Sequence, residues 1–456
     1  MVGPNYQRPQ VDTPQSWRFE DKQAKDVANT AWWEQFDDPV LTDLIRVALK
    51  ENKDLLIAAY RVEEFMGYYV STRGSLFPQV DASASAGRQR LTERGISQIP
   101  QGSQPTFDNY QAVINMSWEI DIWGRLRRAT EAARADLLST EEARRAVILT
   151  LVTSVANAYI DLRDLDRQLD IARSTAKTRE DSYELFKLRF EGGVISELEL
   201  SQVKSEYENA LAEIPQIEKN IAQQENALSL LISRNPGSIP RGKTIDELVI
   251  PSVPQGLPSD LLERRPDIRQ VEQDLVAANA RIGVAKALYF PKISLTGLFG
   301  FSSTDLSKLF TGPAKTWNWA VPVSAPIFTG GTISGQVQVA EAQQQQALLQ
   351  YQKAIQTAFR EVDDALVDQQ KSSERLAVQS RQVDALRNYA QLARLRYENG
   401  YTSYLEVLDA ERSLFSAEIN YSQTQGTLFK AVVNLYKAMG GGWVVEADRI
   451  SNLSSK

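Results

Sequence analysis

The sequence of 456 residues contains no cysteine and no histidine. Their absence excludes zinc and iron–sulfur sites built from these residues, a thiol nucleophile and a Ser-His-Asp triad. Disulfides are excluded as well, so cysteine usage does not indicate the redox compartment. An enzyme would have to use carboxylate, lysine or hydroxyl chemistry, and the sequence shows no convergent cluster of such residues. We therefore expect a protein that is not an enzyme and carries no metal or cofactor.

Charge and hydropathy exclude two further classes. The 51 basic and 58 acidic residues give a net charge of -7, which is not the basic footprint of a nucleic-acid-binding protein. The longest apolar stretch, residues 146–160, is shorter than the roughly 20 residues of a membrane-spanning helix. No charged segment followed by an apolar one opens the chain, so we expect that any signal peptide has been removed. A membrane β-barrel remains possible, because its strands give a weak hydropathy signal.

The chain contains an internal repeat. Residues 189–193 (Arg-Phe-Glu-Gly-Gly) reappear as residues 396–400 (Arg-Tyr-Glu-Asn-Gly). Further matches keep the same offset, including Ser196 with Ser403 and Glu199 with Glu406. The repeat predicts an extended N-terminal arm (1–37), a first structural repeat (38–235), a second structural repeat (236–443) and a polar, frayed tail (444–456).

Each half has the same order of patterns. The first half predicts a helix over 40–72, two strands over 76–90 and 108–123, and a long helical hairpin over 126–232. The second half predicts a helix over 259–288, two strands over 290–302 and 316–328, and a long hairpin over 334–439. Glycines at the hairpin turns suit left-handed helix caps. The first helix of each hairpin has about 65 residues, so it extends roughly 100 Å, as in a coiled coil.

The predicted strands alternate apolar and polar residues over about ten positions, as outer-membrane barrel strands do. Trp118, Trp123, Trp317 and Trp319 are candidates for the aromatic girdle at the lipid interface. A soluble sandwich with one wet face fits the alternation equally well. Four strands cannot close a water-filled barrel, and lipid offers no partners for edge backbone groups. If these are membrane strands, several chains must share one barrel.

Several segments of the sequence carry a resemblance to a known family. They are Val2-Gly3-Pro4-Asn5-Tyr6, Trp32-Trp33 with Phe36, Asp38-Pro39 and Leu41, residues 256–268 (Gly-Leu-Pro-Ser-Asp-Leu-Leu-Glu-Arg-Arg-Pro-Asp-Ile), Tyr289-Phe290-Pro291, and Gly440-Gly441-Gly442-Trp443. In these segments the chain resembles the TolC-type outer-membrane efflux channels, and within them the OprM-like lipoproteins. The Glu-Arg-Arg-Pro-Asp run within 256–268 should begin a helix and point its charges toward solvent.

The resemblance implies a mixed α/β membrane protein. Three protomers would supply four strands each to one 12-stranded outer-membrane β-barrel, continued by a long α-helical periplasmic tunnel. The implied partners are the other two protomers, a periplasmic adaptor (membrane fusion) protein, an inner-membrane RND transporter and outer-membrane lipid. This subgroup begins with a lipidated cysteine, whereas Met1 stands first here. A lipid anchor is therefore expected only on the parent protein.

The gate is expected just after the hairpin turns, at the periplasmic tip. Leu405 and Asp409 lie one helical turn apart, and Glu406 borders the same face. The resemblance implies that Leu405, Glu406 and Asp409, with Glu199 as the repeat partner of Glu406, constrict the pore, and that Tyr397 and Arg396 tether the closed helices. Some relatives have an arginine near positions 401–403, where this chain has Tyr-Thr-Ser. In the alternative interpretation, Leu405, Val407 and Leu408 belong to the coiled-coil core and the two acids are merely solvated.

The predicted function is that of a passive outer-membrane exit duct in a tripartite efflux pump, exporting drugs or other small toxic compounds. Two alternatives keep the same fold, a duct for protein secretion and a duct for metal-ion efflux. An elongated coiled-coil scaffold is the alternative from another class. Residues that line a wide tunnel do not encode its substrate.

Overall fold

The computed structural model describes residues 1–14, 16–17, 31–92, 104–251, 260–440 and 443–452. The described chain divides into two compact units, and each draws on both halves of the sequence repeat. Unit 1 contains residues 1–10, 61–140 and 270–351, and unit 2 contains residues 11–60, 141–269 and 352–456. The predicted helix start at Ser259 and part of the predicted N-terminal arm lie outside the described residues.

Unit 1 contains an antiparallel sheet. Its strands are β1 Gln79–Arg90, β2 Thr106–Glu119, β3 Lys292–Ser303, β4 Lys315–Ala320 and the short β5 Val323–Ser324. The strand order is β1-β2-β3-β4, and β5 pairs with the beginning of β3. Each half of the chain thus contributes neighbouring strands, and β2 joins β3 across the repeat boundary.

The register separates a polar from an apolar face. Ser117 on β2 lies opposite Gln79 on β1 and Thr296 on β3. One residue along, Met116 lies opposite Val80. Because side chains alternate between the faces of a sheet, each face keeps one character across several strands.

Two strands end earlier than the alternation predicts. The second strand was expected to continue to residue 123 but ends at Glu119. The fourth was expected over 316–328, but β4 ends at Ala320 and β5 resumes for two residues after Pro322. Proline has no N–H to donate to a ladder, so Pro322 accounts for the interruption.

The helices follow the predicted order with different breaks. They are α1 Pro39–Glu51, α2 Lys53–Gly74, α3 Arg125–Glu191, α4 Glu197–Leu231, α5 Leu261–Arg264, α6 Pro266–Ala287, α7 Thr332–Glu398, α8 Tyr404–Ala438 and α9 Trp443–Asn452. The single helix expected over 40–72 is wrong, because Asn52 separates α1 from α2. Its side chain accepts from the Leu55 N–H (3.1 Å) and donates to the Leu231 carbonyl (2.9 Å). Within the described residues, α3 alone is long and apolar enough to cross a bilayer, and 61% of its apolar window is buried in the protein.

The core of unit 2 is centred on aromatic residues. Trp32, Trp33 and Phe36 lie in a short 3₁₀ helix, so this part of the predicted arm is not extended. Trp32 stacks on Tyr436 with ring centroids 5.4 Å apart, and Trp443 meets Trp32 edge-on at 5.9 Å. The frayed tail predicted for 444–456 is also wrong over α9, whose Val444 and Ala447 are buried in this core.

The expectation that the charges of the Glu-Arg-Arg-Pro-Asp run point toward solvent is wrong for Arg265. Its side chain is 6% exposed and does not face solvent. It donates to Asp267 (2.6 and 2.9 Å), to Glu361 (2.8 Å) and to the Ala438 carbonyl at the end of α8 (3.1 Å). Buried charge is tolerated when it is paired in this way. The arginine therefore joins the start of α6 to α7 and α8.

Candidate channel gate

The two long hairpins turn at equivalent glycines in unit 2. Gly193 and Gly400 have φ of 71° and 77°. After α3, the Val194 N–H bonds to the Arg189 carbonyl (2.8 Å), and after α7 the Tyr401 N–H bonds to the Arg396 carbonyl (2.9 Å). Each glycine N–H also bonds to a carbonyl three residues earlier. These are Schellman caps, which need a left-handed residue and favour glycine there.

The return helices begin differently. Ser196 and Glu199 form a capping box, in which the Ser196 N–H donates to Glu199 (2.8 Å) and the Glu199 N–H donates to Ser196 (3.3 Å). Ser403 makes no side-chain cap at the start of α8. Glu406, the counterpart of Glu199, instead accepts hydrogen bonds from Arg396 (3.0 Å) and from the Thr402 hydroxyl. Glu199 therefore caps a helix, and Glu406 is neutralised within its own hairpin.

Tyr397 joins the two hairpins. Arg189 Nη1 on α3 donates to the Tyr397 hydroxyl on α7 over 3.1 Å. The Tyr397 ring stacks on Phe186 with centroids 5.9 Å apart and meets Tyr404 edge-on at 5.0 Å. Arg189 and Arg396 are equivalent in the sequence repeat, but one contacts a tyrosine and the other a glutamate. The sequence analysis singled out Arg396 and Tyr397 as candidates for the tether but not Arg189.

Leu405 and Asp409 lie on the outward face of α8. Leu405 is 57% exposed and Asp409 is exposed, whereas Val407 is fully buried and Leu408 nearly so. Val407 and Leu408 thus belong to the core of their own chain, as the alternative expects, whereas Leu405 lies outside it. Within this chain, the face that carries Leu405 and Asp409 is separate from the packed core of the turn.

A group of charged residues beyond the turn was not predicted. Glu206 on α4 is 5% exposed and pairs with Arg179 on α3 (3.3 Å) and with Arg412 on α8. Glu411 on α8 pairs with Arg394 on α7 (3.0 Å). Burial raises the pKa of Glu411 above the usual glutamate range, although Arg394 and Arg179 oppose the shift. The sequence positions of Glu206 and Glu411 could have predicted that these glutamates face the core, because each lies three or four residues after a buried position on its helix.

The four tryptophans predicted at the lipid interface differ in their surroundings. Trp317 and Trp319 on β4 are 66% and 68% exposed. Trp118 donates its indole N–H to the Leu76 carbonyl (2.9 Å). Trp123 lies beyond the end of β2, where it donates to the Pro291 carbonyl (2.8 Å) and stacks on Phe290. Of these residues, the two on β4 thus present the most open rings, and the other two are tied to backbone carbonyls.

Known proteins show the same sequence pattern and fold. The outer membrane efflux protein family matches residues 44–234 and 257–441. The chain is 37% identical to the probable efflux pump outer membrane protein TtgC of Pseudomonas putida, over 99% of this chain and 94% of that protein. It is 36% identical to the cation efflux system protein CusC of Escherichia coli, over 97% of this chain and 95% of that protein. The open-state structure of the MtrE outer membrane channel of Neisseria gonorrhoeae superposes with a TM-score of 0.87 at 32% identity, covering 97% of this chain and 98% of that one.

The sheet and the paired helical hairpins therefore define an outer-membrane channel of mixed α/β fold. The chain belongs to the outer membrane efflux protein family. It is the outer-membrane exit duct of an efflux pump, which confirms the predicted fold class, function and location.

Proposed function

We propose that three copies of this chain close one 12-stranded barrel. Within the described sheet, β1 and β4 stand at the two ends of the order β1-β2-β3-β4. A membrane sheet must close, because lipid cannot satisfy the backbone N–H and C=O groups of an edge. Four strands per chain and threefold symmetry meet this requirement. The open rings of Trp317 and Trp319 then belong to the lipid-facing girdle, and Trp118 and Trp123 anchor its periplasmic side.

We propose that the resting pore is closed by Leu405 and Asp409. The observation that carries this proposal is their exposure on one face of α8, whereas Val407 and Leu408 between them are buried. Threefold symmetry would make rings of three leucines and three carboxylates. Glu406 contributes little charge to this constriction because Arg396 neutralises it, and Glu199 serves chiefly as a helix cap. The tether consists of Tyr397 with Arg189, supported by Arg396 with Glu406.

The pump around the duct follows from the relatives. TtgC is named as an outer membrane protein of a probable efflux pump, and CusC as part of a cation efflux system. We propose that this chain meets a periplasmic adaptor and an inner-membrane RND transporter, and that it passes drugs or other small toxic compounds without catalysing a reaction. We also propose, from the resemblance to the lipoproteins of this family, that the parent protein carries an N-terminal lipid anchor.

The gate is tested by the double variant Leu405→Ala with Asp409→Ala, reconstituted in planar bilayers. The variant should raise the single-channel conductance several-fold, because both rings are removed from the narrowest aperture. Leu349→Ala with Asp364→Ala on α7 is the matched control, since both side chains are exposed to a similar degree. Equal conductance in wild type and gate variant, with unchanged antibiotic entry into cells, would contradict the proposed gate.

A further inference from the structure

A cluster of three charged side chains lies at the end of the sheet where β2 ends and β3 begins. Glu119 is the last residue of β2, Lys292 is the first of β3, and Arg125 begins α3. Arg125 donates two hydrogen bonds to Glu119 (3.0 and 2.8 Å). Lys292 Nζ lies 3.0 Å from the same carboxylate. One carboxylate thus holds two cationic groups.

The cluster belongs to the polar face of the sheet. Glu119 shares its face with Ser117 and Asn115, and Lys292 shares its face with Ser294 and Thr296. Glu119 lies opposite Ser294 in the register. The three charged residues also line a cavity of 560 Å³ with polar neighbours that include Gln79 and Ser117. The opposite face carries Trp317 and Trp319.

The charges of the cluster do not cancel. Glu119 is 16% exposed and Arg125 is 33% exposed, and they satisfy each other with a bidentate pair. Lys292 is 60% exposed, so the remaining positive charge lies on the most accessible group. The neighbouring Asp121 accepts from the Leu126 and Arg127 N–H groups at the start of α3 and pairs with the Arg127 side chain (3.2 Å). Asp121 is thus already engaged and does not offset Lys292.

We propose that Lys292, held by Glu119, which also pairs with Arg125, sets the charge selectivity of the duct where the barrel lumen begins. This inference rests on the proposed trimer, in which the polar sheet face lines the lumen. Three copies then form a ring with one uncompensated positive charge each. Rings of charged side chains bias a pore toward ions of opposite sign. The ring favours anions over cations at this level, independently of the carboxylate ring at the gate.

The test is the reversal potential of purified protein in planar bilayers under a tenfold KCl gradient. Lys292→Glu should shift the potassium-to-chloride permeability ratio toward potassium by about tenfold at low salt, where the ring charges are least screened. Glu119→Gln should shift the ratio toward chloride, because it frees both cations. Lys308→Glu is the matched control, since its 72% exposed side chain follows the other end of β3. Migration of the variants as assembled oligomers on gels confirms that they fold.

Each variant is recorded alone and combined with Leu405→Ala and Asp409→Ala, so that the gate does not dominate the signal. Opposite shifts from Lys292→Glu and Glu119→Gln, with none from Lys308→Glu, support the ring. Unchanged reversal potentials in both backgrounds overturn it, as does an equal shift from Lys308→Glu. If the gate variants conduct like wild type but Lys292→Glu still shifts the ratio, the gate is refuted and the ring stands.

Discussion

Replacing Tyr397 with phenylalanine removes one hydroxyl and keeps the ring. The hydroxyl accepts a hydrogen bond from Arg189 over 3.1 Å, which joins α3 to α7. A hydrogen bond to a charged group contributes about 1.5 to 3 kcal/mol, and both residues are only half-buried, so we take about 1.5 kcal/mol. That value corresponds to roughly a tenfold shift toward the open state for each protomer. If three tethers break in one concerted step, the shift approaches a thousandfold.

Tyr397→Ala should have a larger effect, because it also removes the contacts with Phe186 and Tyr404. Each aromatic pair contributes about 0.5 to 1.5 kcal/mol beyond its buried area. In single-channel recordings, the open probability should increase from wild type to Tyr397→Phe and further to Tyr397→Ala. Lys177→Ala is the control, since its ion pairs on α3 are exposed. If Tyr397→Phe matches wild type while Tyr397→Ala opens the channel, ring packing closes the gate and the hydrogen bond does not.

Three further predictions concern stability, measured as urea unfolding midpoints in detergent. Arg265→Met should lower the free energy of unfolding by about 3 kcal/mol, because breaking a buried ion pair costs about 3 to 5 kcal/mol and the partners of Arg265 are partly exposed. Arg360→Met, at an exposed ion pair, is the control, and an equal loss in both variants would contradict the prediction. Gly400→Ala should lower the free energy of unfolding by about 1 kcal/mol through backbone strain alone, because the φ of Gly400 is 77° and no atom lies within 4 Å of an added Cβ. Gly335→Ala within α7 should instead stabilise the protein, and equal effects of the two substitutions would refute the argument. Burial raises the pKa of Glu411 above its unfolded value, so the folded state loses stability as the pH rises from the unfolded pKa through the folded one. Glu411→Gln should abolish this part of the pH dependence. Stability-versus-pH curves that run parallel for wild type and Glu411→Gln would be inconsistent with the prediction.

The sequence predicted the features that depend on local chemistry. The hairpin turns follow from glycines at left-handed positions, and the sheet follows from alternation with period two. The break at Asn52 was missed, because its side chain uses the carbonyl of Leu231, which is distant in the sequence. Arg189 was missed for the same reason, because its partner Tyr397 belongs to the other hairpin. The repeat shows which positions are equivalent, but the partner of each side chain depends on tertiary contacts that differ between the two halves.

The burial of α9 has a consequence for how the protein is made. Trp443 is fully buried, and its ring meets Trp33 at 5.7 Å as well as Trp32. Trp32 and Trp33 therefore cannot be fully packed until α9 has been synthesised, after α1 to α8. Until then, large apolar rings stay open to water and to other chains. During export, unit 2 can complete its core only after α9 has been translocated, so we expect a chain that stops before Trp443 to be degraded before it reaches the outer membrane.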